Sequence, residues 1–202
     1  MRTRIAAVIL AAGLASTARA ESQNYPPVRV DLTLVLAYGG SGDITAWGGG
    51  LAVEPKYSLT DQLSLGLRFE YTGLVSQSYE LGGLSVSMSA RGVLAILAKA
   101  DYYFTTTSAR PFVGLGAGYY SMGSSDLGST GASASAFQGF GLFPQFGVNF
   151  GGFRMALGYH AIFGEAQTVV VSGIAPPTLS KNYLAFDIGG TFGGGRTTIY
   201  GQ

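Results

Sequence analysis

The residues of this chain that could do chemistry are eleven charges: Arg29, Asp31, Glu54, Lys56, Arg68, Glu70, Arg91, Lys99, Asp101, Arg154 and Asp187. Six are cations and five are carboxylates. Gathered into one space, they would make either a near-neutral ion-pair network or a narrow charged pore. Counting back from a turn at Asp61 sets Glu54 opposite Arg68, a cross-strand ion pair. Other chemistry is restricted. His160 is the only histidine, so a two-histidine metal site or a histidine relay cannot be built from it. The chain has no Cys, which excludes disulfides and a thiolate zinc site. No metal and no cofactor are expected.

The elements that must position these charges are strands. Leu63–Thr72 places Leu63, Leu65, Leu67, Phe69 and Tyr71 at odd positions, with Ser64, Gly66, Arg68, Glu70 and Thr72 between them. A period of two is a β-strand with faces of different polarity. The same alternation predicts eight strands, over about 28–38, 47–59, 63–81, 84–104, 111–120, 137–150, 153–163 and 182–192. Turn-rich loops separate them. Gly82-Gly83 and Gly151-Gly152 read as hairpin turns, and 121–136, rich in Ser, Gly and Ala, reads as a flexible loop. Connections alternate long and short, and an even number of strands puts both chain ends on one side.

Composition bounds the setting. Only 11% of the 202 residues are charged and the net charge is +1, so no basic field points to nucleic acid. Residues 1–20 carry Arg2 and Arg4, an apolar run from Ile5 to Ala15, and Ala18-Arg19-Ala20. That pattern predicts a signal peptide over 1–20, cleaved before Glu21, with one all-β domain over 21–202.

The phase of every strand puts its charges on one face and none on the apolar face. In a soluble eight-stranded barrel the wider apolar face would have to be inside, where there is barely room for side chains. Hydrocarbon outside resolves this, since a closed sheet also satisfies every backbone group where water is absent. The expected fold is therefore an all-β, eight-stranded antiparallel up-and-down transmembrane β-barrel. Three outward aromatic pairs, Trp47 and Tyr57, Phe140 and Phe150, Phe153 and Phe163, are each ten residues apart. Ten residues on a tilted strand rise roughly 25 Å, the height of an outer-membrane apolar band with an aromatic girdle at each rim.

These features resemble the small eight-stranded outer-membrane barrels of the outer membrane protein A and outer membrane protein X type. The stretch Tyr183–Phe192 is similar to the C-terminal assembly signal such barrels present to their insertion machinery. The resemblance implies a cell outer-membrane location, with contacts to lipid, lipopolysaccharide and the assembly machinery. Some eight-stranded barrels are lipid A deacylases that need a Ser two residues after the His; here Ile162 stands there, and His160 falls on the lumen face. His160 reads as a lumen hydrogen-bonder. The expected role is structural or adhesion-like, without catalysis, around a charge-balanced and largely plugged lumen. A narrow passive channel for small solutes is the alternative, and a lipid-modifying enzyme the third reading. Inward glycines, among them 66, 114, 116, 118, 139, 141, 147, 158 and 189, thin the filling and leave room for a water path. The hairpin over 75–88 continues its alternation past the apolar band, and is the candidate surface for a partner.

Overall fold

A computed structural model describes residues 28–41, 44–80, 85–128, 131–164, 166–168 and 181–193. The expected leader over 1–20, and the ends of the 21–202 domain, lie outside these described residues.

The strands are β1 (Val28–Ser41), β2 (Ile44–Ser58), β3 (Leu63–Glu80), β4 (Ser85–Tyr103), β5 (Ala109–Gly128), β6 (Gly131–Phe150), β7 (Phe153–Phe163), a short β8 (Ala166–Thr168) and β9 (Tyr183–Gly193). Each long strand pairs antiparallel with its neighbour, and β1 pairs with β9 from Arg29↔Gly193 to Gly39↔Tyr183, which closes the ring. The result is an eight-stranded antiparallel barrel, with β8 as an accessory strand on Ser135–Phe137 of β6. Closure removes the edges that an open sheet would present to lipid.

The connections at 59–62, 104–108 and 151–152 gather at one end, while at the other the β3–β4 and β5–β6 ladders run on past Trp47 and Phe140; by the asymmetry of outer-membrane barrels the first is the periplasmic end. Thr60 shapes the β2–β3 turn, its Oγ1 accepting from the backbone N–H of Leu63 at 2.9 Å. Gly151 takes φ 58° in the β6–β7 turn, a left-handed backbone that glycine adopts without a Cβ clash. Gly189 is needed for a different reason: a Cβ there would stand 2.0 Å from the carbonyl oxygen of Leu32 on β1. Gly189→Ala is expected to lower unfolding stability by about 1–3 kcal/mol through overpacking at the closing seam. A urea midpoint unchanged from wild type would contradict that.

Four of the expected strands are longer than the alternation indicated: β1 runs to Ser41, β2 starts at Ile44, and β5 and β6 gain most. The 121–136 stretch is not a loop: β5 runs to Gly128 and β6 starts at Gly131, paired through Gly128↔Gly131. Small residues carry no polarity alternation, yet their backbone groups pair as well as any others. The β3–β4 hairpin, by contrast, is paired to Glu80↔Ser85, close to the expected ends at 81 and 84. The ladder skips a step in two places, at Glu54-Pro55 against Leu67-Arg68 and at Phe143-Pro144 against Tyr159-His160. Each contains a proline, which has no N–H to give.

The outer wall is apolar. Trp47 is 65% exposed and Phe140 70%, and Tyr57, Phe150, Phe153 and Phe163 also project outward. Between them lie Leu34, Leu51, Leu65, Leu67, Phe69, Leu115, Phe146 and Leu184, all exposed.

Candidate functional site in the barrel lumen

The inward face of the strands holds five buried cations, Arg29, Lys56, Arg68, Lys99 and Arg154, with five buried carboxylates, Asp31, Glu54, Glu70, Asp101 and Asp187. Arg91 is on the same inward face, yet it is half-buried and stands apart from this group. Its register partners are Leu74 and Ser124, eight residues toward the extracellular end from Lys99. The strand rise of ~3.3 Å per residue is what separates it.

Arg68 is the hub of the upper half of the network. Its guanidinium donates to Asp187 through both terminal nitrogens, at 2.8 and 3.0 Å, and to Glu70 at 2.8 Å. The Glu54 oxygen opposite it is 3.4 Å away, a weaker contact than these. Lys56 is the hub of the lower half, 2.6 Å from Asp31 and 2.7 Å from Glu54, and it also donates to Asp101. Lys99 donates to Glu54 at 2.8 Å and to Gln145 at 2.5 Å. Gln145 passes the chain on, its amide donating to Asp187 at 2.6 Å. Arg154 lies 3.3 Å from both Asp31 and Asp101. Burying ions is costly unless each is paired and hydrogen-bonded, and here nearly all are.

His160 lies above this network, wholly buried. Its ring stacks between Phe143 at 4.1 Å and Tyr183 at 4.2 Å, and Tyr120 meets Nδ1 at 2.8 Å through its hydroxyl. Tyr183 and Thr72 each donate to Glu70 at 2.9 Å, tying the aromatic box to the charges below.

Above the charges, and below Arg91, lies an apolar layer that the alternation did not single out. Leu74, Val93, Met122, Phe137 and Ile162 are buried there, and Val35 and Leu97 stand at its base in register with Asp187 and Arg68. Three of the inward glycines face aromatic rings and not open space. A Cβ on Gly158 would meet the Phe143 ring at 2.4 Å, one on Gly141 the Tyr120 ring at 2.7 Å, and one on Gly139 the Phe137 ring at 2.6 Å. Each gap on one strand is filled by an aromatic ring from the interior. The signal that would have found these rings is phase: Phe143 shares the inward parity of Gln145, and it lies in register with Gly116.

A closed ring of eight antiparallel strands, with hydrocarbon-like residues outside and ionised residues inside, defines a transmembrane β-barrel of the outer-membrane type. The chain has the architecture of that class. No protein-family profile matches it, and no curated protein matches it. Among solved structures it is similar to Neisserial surface protein A, with 18% identity over 85% of this chain and 99% of that chain, at a TM-score of 0.47. It is also similar to the outer membrane protein OprG from Pseudomonas aeruginosa, with 15% identity over 83% of this chain and 92% of that one, at 0.45. A third is the attachment invasion locus protein Ail of Yersinia pestis, with 11% identity over 82% of this chain and 96% of that one, at 0.43.

Proposed function

We propose that this barrel works through its surface and not through its lumen, as a structural or adhesion-like protein without catalytic activity. The observation that supports this best is the doubly filled interior. Ion pairs fill the lower lumen and an apolar layer lies above them, so an ion crossing would have to enter a layer that cannot solvate it. The narrow-channel reading has no such support. His160, shut between two rings, is poorly placed to meet a lipid substrate on the outer wall.

The working surface would be the strand extensions beyond the apolar band. Pairing with β2 stops at Ala46↔Ser76, so among the described residues Gln77–Glu80 of β3 pairs on one side only. Such an edge can accept an added strand from a partner. Lipid and lipopolysaccharide would surround the apolar wall, and the assembly machinery would meet the β9 segment.

Planar-bilayer recording tests the lumen reading. The purified barrel is expected to give no reproducible open steps; regular steps abolished by Glu54→Gln would overturn it. Cells expressing the barrel with residues 76–87 deleted are expected to lose surface adhesion while inserting normally. Undiminished adhesion would remove the hairpin from the account.

A further inference from the structure

Arg29 is the exception among the buried cations. Lys56, Arg68, Lys99 and Arg154 each touch at least one carboxylate. Arg29 is only 5% exposed and, among the described residues, touches none. Its guanidinium donates to the Ser64 Oγ and the Tyr103 hydroxyl, both at 2.7 Å, and its Nε has no partner. The four paired cations share five carboxylates, and among the described residues Arg29 meets that network only through the Tyr103 hydroxyl, to which Arg154 also donates at 3.4 Å.

A second guanidinium packs on the same ring. Arg29 and Arg110 lie 4.7 and 4.4 Å from the centre of the Tyr103 ring. Arg110 is half-buried, and it donates to the backbone carbonyl oxygens of Thr105, at 3.3 Å, and of Asp61. The hydroxyl of Ser58 adds a further polar group 3.2 Å from that of Ser64. Two cations beside one phenol, one of them buried without a counter-charge, are an arrangement that favours an anion. Planar forks with hydroxyls alongside suit the tetrahedral oxygens of phosphate.

We propose that the periplasmic mouth is a phosphate-group site, with Arg29 as its buried anchor and Arg110 as its entry-side partner. The ligand would be either inorganic phosphate or the phosphodiester of a headgroup in the periplasmic leaflet, since the mouth lies at headgroup level. The site is independent of how the lumen is closed.

The test is titration calorimetry of the full barrel in a phosphate-free non-ionic detergent, adding inorganic phosphate against chloride at matched ionic strength. One phosphate is expected to bind per barrel, with affinity falling at least about tenfold in Arg29→Gln and in Arg110→Gln. Arg91→Gln, at the other end of the lumen, is expected to bind as wild type does. If Arg29→Gln does not fold, the half-buried Arg110→Gln decides alone. A second titration uses dihexanoyl-phosphatidylglycerol. Competition with phosphate identifies a lipid headgroup as the ligand, and its absence identifies free phosphate. No phosphate binding to wild type, or equal binding by wild type and Arg110→Gln, would overturn the proposal.

Discussion

Replacing Arg68 with alanine is expected to destabilise the barrel by about 3–5 kcal/mol, the cost of breaking a buried ion pair from one side. Arg68 is fully buried and touches Glu54, Glu70 and Asp187. Removing it leaves Asp187 and Glu70 with no Lys or Arg partner among the described residues, and takes one of three cations from Glu54. Its guanidinium also stacks on Phe143, 4.8 Å from the ring centre, so packing is lost as well. Lysine is no rescue, because a point charge cannot hold both oxygens of Asp187 while reaching Glu70. Arg68→Leu combined with Asp187→Leu should recover part of the loss, since paired removal leaves fewer orphaned charges. Urea unfolding in lipid vesicles, followed through the sole tryptophan Trp47, reads the difference. A loss under ~1 kcal/mol would mean that water reaches these carboxylates, as for an exposed pair.

The second large effect is expected from Phe137→Ala combined with Phe143→Ala. Along the inward face of β6 the residues run Phe137, Gly139, Gly141, Phe143 and Gln145. The two rings are the only bulk there, and they cover neighbouring glycines as well as their own strand. Without them, β6 presents a bare inner wall from the apolar layer down to the charges. Each truncation is expected to cost about 3–5 kcal/mol, and Phe143→Leu considerably less. In planar bilayers the double variant is expected to open discrete conducting steps where wild type is silent. Equal conductance in the two proteins would mean that these rings do not close the lumen.

Much of this was legible in the chain because one physical rule acts on every strand. Lipid rejects charge, so the phase of Arg68, Lys99 and Asp187 fixes the inward face, and Leu65, Ile96 and Phe186 must then look outward. The aromatic pair Phe150 and Phe153 was equally readable across Gly151-Gly152. The filling of the lumen was not. Tyr102 and Tyr103 are adjacent and chemically alike, yet Tyr102 faces lipid while Tyr103 is buried under Arg29. Parity tells them apart, since Tyr103 shares the phase of Lys99 and Asp101; what parity does not give is which group across the lumen each ring meets, and that needs the register and the closed ring. The β5–β6 extension was hidden for another reason. Ser, Gly and Ala report neither face, and a backbone ladder leaves no trace in composition.

The most direct measurement is a spin-label scan along β3 in lipid vesicles, one cysteine at a time in a chain that has none of its own. Labels at 65, 67, 69 and 71 are expected to collide with oxygen dissolved in the bilayer and to be shielded from a water-soluble nickel chelate. Labels at 64, 66 and 72 are expected to be shielded from both reagents. Reversed parity, or high chelate contact at 65 and 67, would contradict an apolar wall turned toward lipid.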